Sequence, residues 1–338
     1  MWRGRCRMAR PWSLNPSRPL PEDAVMMADL SAALLLFSLL MYLALDGTDL
    51  GTGMLFYCFD QPQQRQWMAH TLLPVWDANE TWLVLLAGGM LALFPPLYSL
   101  LLHTLMLPLM LFLLALFLRA LALAYRAQVH TTFQRWLDRL MIVSSLLAAF
   151  LPGWISGVIL VSRPPVGIVP DLSLTPLLCG VGLVAIDIVM GCCWLCWRLG
   201  EPLVERARTL CTLWWTLALA CFVAVLLLEP ALWQQSWQRW PGKILLSVLP
   251  LLWLAQLVAL WREAMVTLLM LTLLTIGVVV GALACGLYPW LLPGQLAIQQ
   301  QAASPVTQGF VLTGMVILLP LTLLYHSWSF WVFKRHPH

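Results

Sequence analysis

The feature that most limits how this chain can fold is a succession of nine apolar segments, at roughly 29–57, 72–95, 97–124, 138–162, 174–198, 209–229, 243–261, 265–292 and 308–333. Each is near the ~20 residues that a bilayer-spanning helix requires. A transmembrane barrel would instead need segments of about ten residues with alternating polarity, and these runs are longer and unbroken. Composition agrees: 61% of the 338 residues are hydrophobic and 10% charged, against about a quarter charged in soluble domains. The fold class expected is therefore all-α, a polytopic integral membrane protein with about nine transmembrane helices in a single domain over residues 26–338. Segment two ends at Phe94, Pro95 and Pro96, so a tight turn is expected before segment three.

Residues 1–25 carry Arg3, Arg5, Arg7, Arg10 and Arg18 and several prolines without an apolar core. They read as a disordered tail, neither a signal peptide nor a span. An odd number of spans puts the two ends of the bundle on opposite sides. Lys and Arg then orient it, because cytoplasmic loops collect them. One side holds Arg65, Arg119, Arg126, Arg135, Arg139, Arg198, Arg206, Arg208, Arg262, Lys334 and Arg335, and the other Arg163, Arg239 and Lys243. The first side is expected to be cytoplasmic, which puts the N-terminus on the outer side and the C-terminus in the cytoplasm. The tail arginines oppose this orientation, a conflict that disappears if the chain starts at Met26 or Met27 and residues 1–25 are an over-extended start. The net charge of +4 comes mostly from that tail and from loops, and does not point to nucleic acid.

Against this apolar background, ionisable residues inside spans stand out, since burying one in a bilayer costs roughly 3 kcal/mol or more. Asp46 and Asp49 lie three residues apart in segment one, Asp77 and Glu80 repeat the spacing at the start of segment two, and Arg119 lies near the end of segment three. A three-residue spacing puts such pairs on neighbouring positions of one helix face. With the arginine-rich side inward, all five fall at one depth near the cytoplasm. Arg119 would hold an adjacent carboxylate ionised, while crowded carboxylates would retain a proton. That mixture suits a proton relay, although a salt-bridge network fixing three helices would use the same residues. Gly47 and Gly51 form a small-xxx-small pair that lets another helix come close. Asp187, in segment five, has either a partner subunit, a water-filled pocket or a helix end to explain it.

Other signals are weaker. Most of the nine cysteines, Cys58, Cys179, Cys211, Cys221 and Cys285 among them, fall in or near apolar segments as packing residues, and the Cys193–Cys196 C-x-x-C lies inside a span. His103 and His326 are the histidines within spans and would be needed for intrinsic haem ligation. Their depths differ by roughly a third of the ~30 Å core, which argues against a shared haem. Tryptophans near span ends, such as Trp136, Trp154, Trp237, Trp240, Trp290 and Trp331, read as interfacial anchors.

The run Leu45, Asp46, Gly47, Thr48, Asp49, Leu50, Gly51, then Pro74, Val75, Trp76, Asp77, Ala78, Asn79, Glu80, Thr81, Trp82 and Gly88, Gly89, closely resembles the subunit II family of cytochrome bd-type quinol oxidases. The family's signatures there read D-G-F-D-L-G and P-V-W-D-G-N-E-T-W. Phe94, Pro95, Tyr98, Leu118 and Arg119 match the same pattern, and the resemblance resumes at Tyr288, Pro289, Ser304, Leu324, Tyr325, Trp328 and Trp331. It is strong over 40–126, looser over the last fifty residues, and limited to hydropathy between them. Thr48 stands where the family has an aromatic residue and Ala78 where it has glycine. Leu118–Arg126 lacks the acidic residue of the family's F-R-G-V-A-F-E-F-R, so Ala124 removes a candidate partner for Arg119 or Arg126.

The resemblance implies two four-helix bundles plus one extra helix, and a heterodimer with oxidase subunit I. That subunit would carry the three haems, haem b with haem d or a further b-type haem, and the quinol site. This chain would ligate no haem and bind no metal, would not be catalytic alone, and would supply scaffold and part of a cytoplasmic proton-uptake route in the reduction of oxygen to water. In relatives, the positions matching Asp49 and Asp77 line that route. The resemblance leaves room for a quinone bound within this chain and for a small third single-span subunit. The alternative is a proton-coupled secondary transporter with its carboxylates near the bilayer midplane.

Overall fold

The computed structural model describes residues 21–161, 173–199, 203–293 and 295–333. Most of the expected tail, residues 1–20, lies outside these. The first helix, α1, is Glu22–Leu55, so the four residues after Pro21 that the sequence assigns to the tail are helical. Helix α2 (Pro62–Leu72) runs along the arginine-rich end, and α3 (Trp76–Leu93) returns through the bundle.

The third expected span is not one helix. Helix α4 (Pro95–Thr104) leaves α3 at 117°, and α5 (Met106–Tyr125) then spans. The first break follows from Pro95 and Pro96, which lack N–H donors and occupy the opening turn of α4. The second falls at Leu105 because Pro108 cannot bond the Thr104 carbonyl and its ring clashes with it.

Helices α6 (Thr131–Val161), α7 (Leu174–Arg198) and α8 (Leu203–Leu228) follow as long spans. A short α9 (Pro230–Gln238), not foreseen from hydropathy, leads into α10 (Trp240–Trp261). Helix α11 (Met265–Leu287) stops five residues before its expected end. Pro289 turns the chain into β1 (Trp290–Leu292), which pairs antiparallel with β2 (Leu296–Ala297). Helices α12 (Ile298–Gln301) and α13 (Pro305–Phe333) complete the chain. Among the described residues, eight helices are long and apolar enough to cross a membrane, and the bent α3–α4 pair makes a ninth.

The contacts sort these spans into α1, α3, α5 and α6 on one side and α7, α8, α10 and α11 on the other, with α13 laid against α3 and α1. This matches the four-plus-four-plus-one arrangement that the resemblance implies. Helix α7 is the seam, packing on α1 and α6 as well as on α8 and α11. Small residues set that seam. A Cβ on Gly51 would overlap the backbone carbonyl of Asp187, and one on Gly191 would meet the Gly51–Thr52 backbone. Where lipid removes the hydrophobic drive for helix association, such close packing and interhelical hydrogen bonds supply it. Trp215 Nε1 donates to Gln256 Oε1 (2.7 Å) and Gln256 Nε2 to Thr275 Oγ1 (2.6 Å), tying α8, α10 and α11 together. Ser31 Oγ donates to Gln308 Oε1 (3.0 Å), holding α13 to α1.

Candidate functional site

Three helices converge on the Arg119 guanidinium. Its Nη2 lies 3.0 Å from Asp46 Oδ1 on α1 and 3.0 Å from Glu80 Oε1 on α3. The Arg119 and Asp46 side chains are each 1% exposed, while Glu80 keeps 25%. The triad thus has a sealed side and a more open side. A buried cation needs such partners, because ionic groups withdrawn from water lose several kcal/mol of hydration each.

One turn along α1, Asp49 is fully buried and accepts from Asn79 Nδ2 at 2.8 Å. Asn79 also donates to the Leu45 carbonyl at 3.3 Å, so it clamps the turn of α1 that holds both aspartates. Trp82, one turn further along α3, is buried with its ring edge-on to Phe37 at 5.7 Å. This packing fixes the rotation of α3 that turns Asn79 inward.

Asp77 is placed differently. It is exposed in the first turn of α3, and its carboxylate makes no hydrogen bond or ion pair among the described residues. Three residues along a helix are 60° short of a full turn, enough here to leave Glu80 on the rim of the interior and Asp77 outside it. Of the five charged residues singled out in the sequence, the fold joins Asp46, Glu80 and Arg119 directly, adds Asp49 through Asn79, and leaves Asp77 at the surface on the same helix.

The missing acidic residue near Arg126 is supplied from elsewhere. Asp138 on α6 accepts from Arg126 Nε at 2.6 Å and from Arg65 Nη1 at 3.0 Å. Arg65 Nε also donates to the carbonyls of Phe56 and Phe59. This second cluster latches the arginine-rich ends of α1, α2, α5 and α6. Sequence reasoning missed it. Asn79, though inside the motif, was given no role, and Tyr42 was not singled out.

Asp187 is neither at a helix end nor at the surface. It lies in the middle of α7, 2% exposed, and lines a small cavity with Tyr42 and Asp46. The histidines take no comparable place. His70, His103 and His130 are exposed, and His103 sits on α4, the short limb of the bent α3–α4 pair. The side chain of His326 lies outside the described residues. The described histidines therefore do not fit a buried haem.

A family model for cytochrome bd terminal oxidase subunit II matches residues 27–333. The chain is similar to cytochrome bd ubiquinol oxidase subunit 2 of Bacillus subtilis (strain 168), with 29% identity over 111 residues. That match spans 32% of this chain and about a third (33%) of the curated relative. Among solved structures, the bd oxidase from Geobacillus thermodenitrificans contains a chain that superposes with a TM-score of 0.76. The match covers 92% of this chain and 98% of that one at 15% identity, a likeness of fold.

Proposed function

This chain belongs to the cytochrome bd terminal oxidase subunit II family, and from that membership we propose that it works as the haem-free partner of a haem-bearing subunit I. The pair is a quinol:oxygen oxidoreductase of the bacterial cytoplasmic membrane. In it, subunit I oxidises quinol and reduces oxygen to water on its haems, of b and d type or with a second b-type haem. This chain braces subunit I and carries protons inward from the cytoplasm. The exposed histidines support placing the haems in subunit I. The apolar groove between α8, α9 and α10, lined by Phe222, Trp233, Trp237 and Trp253, offers the surface that a bound quinone would take, and a small third subunit remains compatible with the fold. Family membership favours this reading over a secondary transporter.

One observation carries the proton role: the carboxylates grade from exposed to sealed. Asp77 stands in solvent at the arginine-rich end, Glu80 is a quarter exposed, and Asp46 and Asp49 are buried. A scaffold would need one carboxylate per cation, whereas Arg119 stands among more acids than it can neutralise. In this route Asp77 gathers protons and Glu80 passes them inward beside Arg119. Arg119 itself stays charged, since guanidinium does not titrate in proteins, and holds the carboxylates in register. The orientation with this end in the cytoplasm rests on the Lys and Arg count.

The test is oxygen consumption and haem content measured on the same preparations of the two-subunit complex with Asp49→Asn. Intact haem with slowed turnover is expected. Full turnover would take Asp49 out of the route, and haem loss in step with activity would reduce the cluster to a scaffold.

A further inference from the structure

The seam between α1, α6 and α7 holds a cavity walled by Tyr42, Asp46, Ala148, Pro152 and Asp187. Three features make it polar. Asp46 uses Oδ1 for Arg119, while its Oδ2 and the Tyr42 hydroxyl, one turn away on the same helix, are buried with no partner but each other. Pro152, inside α6, has no N–H, so the Ala148 carbonyl one turn back loses its helical donor. The Asp187 carboxylate, from α7, makes no hydrogen bond or ion pair among the described residues and is 2% exposed. It reaches this place because position 47 is glycine: a Cβ there would stand 2.7 Å from Asp187 Oδ1.

Buried polar groups in native proteins are paired with protein or with ordered water. A water needs room for about one probe sphere and two to four polar partners, and this cavity offers donors and acceptors from three helices. Of its wall, Tyr42, Asp46 and Asp187 are the titratable members, while α6 contributes Ala148, Ala149 and Pro152. No cation faces Asp187 from this wall, so a proton is the available neutralising partner.

We propose that Asp187 is a proton-exchanging site that carries the acidic cluster across the seam into the second helix group, linked to Asp46 by a water in this cavity. When Asp46 is protonated, its carboxyl gives the proton to the water, and the water gives one of its own to the Asp187 carboxylate. Asp46 returns to its ion pair with Arg119, and no net charge is moved except the proton. This inference rests on the reading of Asp46 as part of a proton route.

The test uses the full two-subunit complex with Asp187→Asn, Asp187→Glu and Asp49→Asn. Redox-difference infrared spectra are recorded in the region of the protonated carboxyl stretch, together with turnover and haem content. Asp187→Asn is expected to lose one carboxyl band and slow turnover with haem retained, and Asp187→Glu to keep a displaced band and recover most of the rate. An unchanged spectrum in Asp187→Asn overturns the proposal, even if turnover falls, because a structural role would leave the band in place. Should Asp187→Asn fail to assemble, Asp187→Glu decides alone: a band at the wild-type position overturns the proposal. If Asp49→Asn is slow while the Asp187→Asn spectrum and rate match wild type, the uptake route stands and this branch falls. If Asp49→Asn runs at full rate while Asp187→Asn loses its band, uptake through Asp49 falls and exchange at Asp187 stands.

Discussion

Arg119 and Asp46, 73 residues apart in sequence, meet at 3.0 Å with neither side chain open to solvent. Replacing Arg119 with leucine would leave Asp46 buried without its cation and free Glu80 from its anchor. Breaking a buried pair by removing one partner costs roughly 3–5 kcal/mol. The Arg119→Leu chain should accumulate poorly and copurify with little haem, and the double variant Arg119→Leu/Asp46→Leu should recover part of the yield. Equal loss in both would show that the pair is not what holds α5 to α1.

The seam between α1 and α7 makes a separate demand. Because a Cβ on Gly51 overlaps the Asp187 carbonyl, Gly51→Val must push two helices apart along their closest line. Overpacking a well-filled interior costs about 1–3 kcal/mol, and a backbone neighbour can yield less than a side chain. A fall in the thermal transition of the purified complex is expected. Gly88→Val is the control, since nothing lies within 4 Å of a Cβ there, and it should melt like wild type.

How much of this could be read from the sequence follows from what each residue costs in a membrane. Asp46, Asp49, Glu80 and Arg119 announced themselves because a charge in an apolar run demands a reason. Asn79 and Tyr42 did not, being neutral side chains with no such penalty, although Asn79 clamps Asp49. The role of Asp138 was not legible, because its pairing with Arg126 and Arg65 depends on tertiary contact and leaves no trace in local spacing. The break at Leu105 was legible in Pro108 but was overridden by continuous hydropathy. The same smoothing hid Pro289 at the end of α11. Asp77 and Glu80 shared a face by spacing alone, and only the packing of Trp82 decided that the boundary of the interior would run between them.

Orientation is open to direct chemical test. Asp60 lies exposed after α1 at the arginine-rich end, and Gln238 lies exposed at the end of α9 on the opposite side. With single cysteines introduced in turn, a membrane-impermeant maleimide applied to intact cells should label Gln238→Cys above the native background and spare Asp60→Cys until the membrane is opened. The reverse pattern would invert the proposed topology and put the acidic rim on the wrong side for proton uptake from the cytoplasm.

The polar tie in the second helix group should prove modest. Gln256 is 1% exposed and bridges Trp215 and Thr275, an arrangement that looks indispensable by burial. Interhelical hydrogen bonds in membranes nevertheless average only ~0.6 kcal/mol, because a helix separated in lipid finds other partners. Gln256→Leu should therefore lower the thermal transition by a small amount and leave haem content and turnover near wild type. Collapse of the complex on this change would mean that α10 and α11 are held by the tie rather than by packing.

The exposed and buried aspartates separate the proposed steps of uptake. Asparagine keeps the size of the side chain and much of its hydrogen bonding but cannot carry a proton. Asp49→Asn removes a carboxylate that is sealed and already bonded to Asn79, so its loss blocks an internal step that bulk buffer cannot reach. Turnover at saturating quinol should fall, and raising the buffer concentration should not restore it. Asp77→Asn removes a carboxylate standing in solvent, where water and small buffer acids can deliver protons to Glu80 in its place. Turnover should fall less, and a small permeant acid should bring much of it back. Equal, unrescued losses in the two variants would mean that Asp77 acts from inside the cluster in the assembled complex. Unchanged turnover in both would mean that protons reach the oxygen-reducing haem without passing Asp49 or Asp77.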